Sequence, residues 1–273
     1  MKFGIISGDR RQAILSETLV KDSHEVRVWG LDCENLEENS IEYTLEKSDI
    51  IILPLPASRD GLHINLSNIS VDSKFVEMIK NKKIFCGNKN TIKTKEWQKL
   101  DVKDYAASEN FKVFNAEPTA EGAIKIALNN TLKTLYKSHC LISGFGRIGK
   151  ILSGMLKNLG AFVSVTNYSD GDRAWAKINN LKIVDLNNDK FLDYDFIFNT
   201  VPTQIFTEHI LNKTNKECLI IDLASISGVD LNYANKLGIK VFHELGVPGK
   251  FFPVTAAEII KESIYEIIRE TCT

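Results

Sequence analysis

No two cysteines in this sequence share the close spacing that metal sites and redox dithiols use. Cys33, Cys86, Cys140, Cys218 and Cys272 are scattered and odd in number. A disulfide framework is thereby excluded, and the thiols read as buried or incidental ones in a reducing cytoplasm. Histidine is as sparse: His24, His63, His139, His209 and His243 stand apart from one another, and His139 and Cys140 point to opposite sides of a strand. No metal site is expected. Long apolar runs are missing too. The first, Phe3 to Ile6, is too short for a signal-peptide core and ends in a turn, and no later one nears the length of a bilayer crossing. A cytoplasmic protein with no membrane partner is expected. Excess charge is the last absence: 34 basic residues face 35 acidic ones, a formal net charge of -1, so no field gathers nucleic acid or an anionic surface. Any anionic ligand must be held by local groups.

What is present is an ordinary globular composition, 44% hydrophobic over 273 residues, enough for two cores. Neither an internal repeat nor a low-complexity segment interrupts it. Short apolar strands alternate with amphipathic helices, the pattern of an α/β protein whose parallel sheets are covered on both faces. The first half reads as strands near Lys2 to Ser7, Glu25 to Trp29, Asp49 to Leu53 and Lys83 to Cys86, with helices from Gln12 to Lys21 and Asp72 to Lys80. Ala120, Ala123, Ile124, Ala127, Leu128, Leu132 and Leu135 recur at helical spacing and predict a long connector helix from Thr119 to Tyr136. A second set of strands follows near Cys140 to Ser143, Phe162 to Thr166, Phe196 to Asn199, Leu219 to Asp222 and Lys240 to Phe242. A closing helix, Thr255 to Glu270, carries Ile259, Ile260, Ile264, Ile267 and Ile268 on one face. The expected division is therefore a first domain over 1–117, a connector over 118–137, a dinucleotide-binding domain over 138–253 and a terminal helix over 254–273.

The strongest motif is Gly144-Phe145-Gly146-Arg147-Ile148-Gly149, set between a strand and a helix. In such a loop the first glycine permits the tight turn, the second lets a diphosphate approach the backbone, and the third lets helix and strand pack closely. The phosphates then sit on free amides at the positive end of the helix. A dinucleotide is thus favoured over a mere glycine-rich turn. About 20 residues on, NAD-binding loops place an acid on the ribose; here that position falls on Asn167, followed by Tyr168 and Ser169. With no carboxylate there to repel a 2′-phosphate, and with Ser169 and Arg173 available to bind one, NADP is favoured over NAD. The alternative is a solvated Arg173, with Asp170 on the ribose. Thr200, Val201 and Pro202 end one later strand and Asp222, Ala224 and Ser225 end the next, where contacts to the nicotinamide half belong; capping is their structural alternative.

These features together resemble the A-subunit family of bacterial dipicolinate synthase. The resemblance runs through Gly8-Asp9-Arg10-Arg11-Gln12, Pro118-Thr119-Ala120-Glu121-Gly122-Ala123, the glycine loop, Asp222-Leu223-Ala224-Ser225, Gly246-Val247-Pro248-Gly249 and Pro253-Val254-Thr255-Ala256. The sequence is also similar to the D-2-hydroxyacid dehydrogenases. That resemblance implies a flavodoxin-like N-terminal domain, a Rossmann domain and a C-terminal helix returning to the first domain. One departure is clear: those enzymes use a histidine after a C-terminal proline as acid and base, and Pro253 is followed by Val254. His243 is the substitute at hand, although a lone histidine at a strand end is more often structural.

The implied activity is NADP-dependent oxidation of the dihydro form of 4-hydroxy-tetrahydrodipicolinate to pyridine-2,6-dicarboxylate, a sporulation product. It would work beside a second, flavoprotein-like subunit, and an oligomer is expected. A small dicarboxylate substrate calls for arginine forks, and Arg11 and Arg59, with Ser58, follow first-domain strands and are expected to face the nicotinamide. The alternative is that Asp9 and Asp60 merely pair with these arginines. Thr119 and Glu121 open the connector helix, with Glu121 the expected proton acceptor and helix capping the competing role. Pro248, Gly249 and Thr255 are expected to shape the loop over the nicotinamide. Two other functions stay open: a reductase of another hydroxy or imino acid on the same fold, and a nucleotide-binding regulatory subunit without turnover.

Overall fold

The structure, a computed structural model, describes residues 1–166, 169–186 and 193–271. The chain divides into two compact units, Met1–Asn115 with Phe252–Thr273, and Ala116–Phe251.

The first unit contains β1 (Lys2–Ile6), α1 (Arg10–Lys21), β2 (Glu25–Trp29), α2 (Ile41–Glu46), β3 (Ile50–Ile52), α3 (Ser73–Ile79), β4 (Lys83–Cys86) and β5 (Val102–Asp104). Its strands are all parallel in the order β2-β1-β3-β4-β5, the flavodoxin-like order. Central strands covered on both faces have no solvent side, so β3 is simply Ile50-Ile51-Ile52, all buried. The two-residue period sends alternate side chains to separate cores. Phe3, Ile5 and Ile52 join Leu15 and Leu19 on one face, while Ile6, Ile51 and Ile84 join Phe75 and Trp97 on the other. The C-terminal helix, α10 (Pro253–Thr271), lays Ala257, Ile260 and Ile264 into the first of these cores and packs on α1. Ser263 anchors it by donating to the Tyr105 carbonyl at 2.7 Å.

α4 (Glu109–Asn129) runs through the division between the units. The second unit then continues with β6 (His139–Ser143), α5 (Arg147–Asn158), β7 (Phe162–Thr166), α6 (Asp170–Ile178), β8 (Lys182–Val184), β9 (Phe196–Asn199), α7 (Glu208–Leu211), β10 (Leu219–Asp222), α8 (Leu231–Leu237), β11 (Lys240–His243) and α9 (Val247–Phe251). Its parallel order is β11-β10-β9-β6-β7-β8. From β6 the chain winds one way through β7 and β8, then crosses back to β9 and winds the other way. This is the Rossmann arrangement, and its crevice opens beyond the carboxyl ends of β6 and β9.

The structure corrects the connector helix. It begins at Glu109, not Thr119, and ends at Asn129, not Tyr136. The helix passes through Pro118. Pro118 removes a single N–H, and the carbonyl left without a helical donor belongs to Phe114, an exposed residue, while Ala116, Ala120, Ala123 and Ala127 bury the opposite face. At the other end Asn130 turns back to donate to the Ile126 carbonyl at 2.8 Å. Leu132, read as part of the apolar stripe, is fully exposed. Among the described residues no helix is long and apolar enough to cross a membrane.

Candidate functional site

β6 delivers the chain into the glycine loop with Leu141 and Ile142 wholly buried. Gly144 turns at φ +92°, and a β-carbon there would lie 2.3 Å from the Thr200 hydroxyl oxygen. A β-carbon on Gly149 would lie 2.2 Å from the Gly144 carbonyl oxygen, so the first turn of α5 presses against the loop. Gly146 differs from both: nothing lies within 4 Å of its would-be β-carbon. It is also the N-cap of α5, and among the described residues no side chain caps the helix. First-turn amides at a positive helix end, without a side-chain cap and beside an open space, suit a diphosphate, so these residues fit a dinucleotide. Ile148 packs into the core and Arg147 is exposed.

The turns after β9 and β10 form one hydrogen-bonded body. Thr200 donates to the Ser143 carbonyl at 3.0 Å, tying the β9 end to the glycine loop. Asn199 donates to Asp222 at 2.7 Å and to the Val201 carbonyl at 3.1 Å. Asp222 also accepts from the Ala224 amide at 3.2 Å, the Gly228 amide at 2.9 Å and the Ser227 hydroxyl at 2.8 Å. It is 0% exposed. Expected as a cofactor contact, Asp222 instead commits its lone pairs to shaping the turn, because a buried carboxylate is stable only when fully hydrogen-bonded. Pro202 and Ser225 remain exposed, Val201 is half-buried and Ala224 is buried. The His243 ring donates from Nε2 to the Ala224 carbonyl at 2.8 Å, a structural bond. Pro248 is buried and Gly249 half-buried in α9, while Thr255 is exposed on α10.

On the ribose side, Asn167 and Tyr168 lie outside the described residues. Ser169 caps α6 by accepting from the Asp172 amide at 3.1 Å, and Arg173 is exposed. Asp170 and Asp172 occupy the first helical turn. Sequence reasoning passed over Lys150. Its ammonium lies 5.9 Å from the Phe145 ring centroid, 5.5 Å from that of Trp175 and 3.6 Å from Asp172, linking the glycine loop to α6.

In the first unit the structure reassigns Arg11. Its guanidinium donates from Nε and Nη2 to both Asp9 oxygens and from Nη2 to the Leu55 carbonyl at 2.6 Å, and the residue is 8% exposed. Asp9 accepts the Arg11 amide at the start of α1, and Gln12 accepts the Asp9 amide at 3.1 Å. Burial pushes the Asp9 carboxyl up, but the Arg11 hydrogen bond and charge outweigh it and hold the carboxyl below its usual value. The motif Gly8 to Gln12 is therefore a helix cap closed by an ion pair, and Arg11 is no free clamp. Ser58 is likewise engaged, donating to Asp60 at 3.1 Å and accepting the Gly61 amide at 2.9 Å. Arg59 alone of this trio is exposed. Thr119 and Glu121 sit inside α4 rather than at its start, Thr119 buried and Glu121 exposed, which removes helix capping as their role.

Two depressions complete the picture. One of about 420 Å³ is lined by Ser58, Arg59, Asn88, Asn90, Thr91, Lys93 and Asp104 at the carboxyl edge of the first sheet. The polar turn after β4, Gly87 to Thr91, was the overlooked signal. The other, about 510 Å³, includes His139, Phe162 and Lys182, the first residues of β6, β7 and β8, and so lies at the edge opposite the glycine loop. Burial pushes the Cys140 thiol up to about 12 and raises those of Cys86 and Cys218 as well, leaving them unreactive.

Comparison with known proteins agrees with this geometry. Residues 2–105 match the family of N-terminal domains of the dipicolinate synthase A subunit. The chain is 29% identical to the A subunit of dipicolinate synthase from Bacillus subtilis (strain 168), covering 99% of this chain and 96% of that one. The crystal structure of the dipicolinate synthase A subunit from Bacillus halodurans superposes with a TM-score of 0.83 at 25% identity, covering 97% and 96% of the two chains. Salmonella D-lactate dehydrogenase shares the fold, with a TM-score of 0.64 at 13% identity over 98% of this chain and 96% of that one. The cap at Asp9 lies within the matched N-terminal domain, and over 99% of its length, glycine loop included, the chain is similar to the A subunit of dipicolinate synthase.

Proposed function

We propose that this protein is an NADP-dependent oxidoreductase that converts the dihydro form of 4-hydroxy-tetrahydrodipicolinate to pyridine-2,6-dicarboxylate, acting with a second, flavoprotein-like subunit. The observation that carries the reading is the glycine loop, with an open Gly146 and uncapped α5 amides between two sterically obligatory glycines. Residues Gly144 to Gly149 would hold the diphosphate. Val201, Pro202, Ala224 and Ser225 would border the nicotinamide half, aided by Pro248 and Gly249. When bound, the dinucleotide supplies a hydride acceptor. NADP is favoured over NAD by the asparagine at 167 and the exposed Arg173.

Aromatising the dihydro ring removes one hydride and one proton, and the gain in aromaticity lies in the substrate. The protein's own task is then orientation and removal of that proton. Glu121, exposed within α4, is the proposed acceptor, and Thr119, two positions earlier and buried on another face of the helix, is the second proposed catalytic residue. His243 is not, since its Nε2–H is committed to a backbone carbonyl.

The test incubates the full chain with NADP and 4-hydroxy-tetrahydrodipicolinate, with and without the second subunit. It follows reduced nucleotide together with the ultraviolet signature of pyridine dicarboxylate. Both signals should rise in step when the two subunits are present. Saturable NADP binding with neither signal, partner included, would replace this reading with a regulatory nucleotide-binding role. Tighter binding of NAD than of NADP would overturn the cofactor choice.

A further inference from the structure

We infer that the depression at the carboxyl edge of the first sheet is a carboxylate-binding site, with Arg59 and Lys93 as its cations and Asn88 and Asn90 as its neutral donors. Only the choice of a ring dicarboxylate as ligand rests on the proposed oxidation; the site itself rests on geometry.

The depression lies beyond the ends of β3, β4 and β5, where ligands of open α/β sheets collect. Neither Arg59 nor Lys93 has a salt bridge among the described residues, although two carboxylates are near at hand in the sequence and fold. Both carboxylates are engaged elsewhere. Asp104 accepts the Asn88, Lys89 and Ala106 amides at 3.0, 2.9 and 3.0 Å. Asp60 accepts the Leu62 and His63 amides, the Ser58 hydroxyl and the His63 ring. The backbone hydrogen bonds from His63 and Leu62 hold the Asp60 carboxyl well below its ordinary range, so it remains a fixed acceptor of its own loop. Neither cation is ion-paired among the described residues, and two cations against the single Asp104 carboxylate leave the lining of the concavity net positive, which is the arrangement an anion completes.

The wall is built rather than incidental. Thr91 accepts the Ser58 amide at 3.1 Å and donates to the Asn88 carbonyl at 2.8 Å, joining the β3 and β4 loops. The Lys93 amide donates to the Gly61 carbonyl at 2.8 Å, and Gly61, at φ +85°, leaves only 3.0 Å between a would-be β-carbon and Lys93 Cγ. A volume of about 420 Å³ accommodates a small ring acid. Arginine offers a planar fork to one carboxylate, lysine a point charge, and the asparagine amides two further donors, a set that matches a planar acid better than a compact tetrahedral anion.

The test titrates the full chain calorimetrically, in metal-free buffer, with pyridine-2,6-dicarboxylate, pyridine-2-carboxylate and inorganic phosphate. Variants are Arg59→Ala, Lys93→Ala, Arg59→Lys and, as a control on a separate exposed cation, Lys112→Ala; NADP is titrated into each. The dicarboxylate should bind saturably, and either alanine variant should weaken it about tenfold or more. Arg59→Lys should recover part of the loss, and Lys112→Ala should change nothing. The NADP affinity should be the same throughout. Dicarboxylate binding that survives both alanine variants, no dicarboxylate binding at all, or phosphate binding of equal strength lost in the same variants would each overturn the assignment. Failure of the wild type to bind NADP is a separate outcome, which strikes the nucleotide reading and leaves the carboxylate site standing or falling on its own titration.

Discussion

Replacing Gly146 and Gly149 by alanine, one at a time, separates two tasks within a single loop. At Gly146 the added methyl meets no protein atom within 4 Å, and the backbone at φ -78°, ψ -157° accepts any residue. Alanine is a poorer N-cap than glycine by about 1 kcal/mol, but it also restricts the unfolded chain, which offsets about 0.4–1 kcal/mol of that loss. At roughly 2–4 °C per kcal/mol, the melting temperature of ligand-free protein should move by no more than about 3 °C. At Gly149 the methyl would lie 2.2 Å from the Gly144 carbonyl oxygen, a backbone atom that cannot rotate aside. Overpacking costs about 1–3 kcal/mol where side chains can adjust, and here the strand and helix must separate, so a fall of about 6 °C or more is expected. Calorimetry with NADP then reads the other task. The Gly146→Ala methyl occupies the space the diphosphate needs and weakens amide bonds to a charged group, each worth about 1.5–3 kcal/mol, so affinity should drop about tenfold to a hundredfold. A well-folded Gly146→Ala protein that binds NADP as tightly as the wild type would refute the placement of the diphosphate. Equal melting losses in both variants would refute the steric argument.

Arg11→Ala should lower stability by about 2 kcal/mol, since it strands both the Asp9 carboxylate and the Leu55 carbonyl, while NADP affinity stays unchanged; a purely kinetic defect with unaltered melting would contradict the structural role. Asp222→Asn should cost about 3 kcal/mol and loosen the turns after β9 and β10, because an amide cannot accept all of the donors that converge there; denaturant titration checks this, and a neutral result would mean that the network is dispensable. Stability should also decline with acid through the Asp22, His24 and Tyr265 cluster. Hydrogen bonds from Lys261 and Tyr265 hold the Asp22 carboxyl below its ordinary value, and burial, with the amino terminus, lowers His24. Both groups bind protons more weakly when folded, so their contributions are present above the unfolded values and vanish as pH falls through the folded ones. His24→Gln should therefore flatten the melting curve between about pH 7 and 5 while leaving the steeper fall near pH 4 in place; an unchanged slope over the upper range would discount the histidine.

Local patterning was enough to read the α/β class, the glycine loop and the apolar face of α10. Each depends on residues adjacent in the chain: alternation or continuous apolar runs for strands, helical spacing for Ile260 and Ile264, and a strand, loop and helix in immediate succession around Gly146. β5 and β8 escaped because their three residues include charged ones and are too few to show a period, whereas β3, equally short, is a run of isoleucines. The course of α4 escaped because proline at a helix start and proline inside a helix look alike until the packing of its alanine face is known.

The fate of individual polar side chains was settled only in three dimensions. Arg11 and Arg59 are equivalent as letters, yet one meets a carbonyl 44 positions away and is sealed, while the other borders an open depression. Asp222 became a turn organiser because Asn199, brought alongside by the pairing of β9 with β10, reaches it from 23 positions earlier. The depression itself joins loops from separate strands, so Lys93 and Arg59 become partners only once the sheet sets their spacing. Composition and periodicity decide which segments can be strand or helix, since those choices are made within a few residues. Whether a charge is tied up within the protein or kept for a ligand depends on distances that only chain crossing creates.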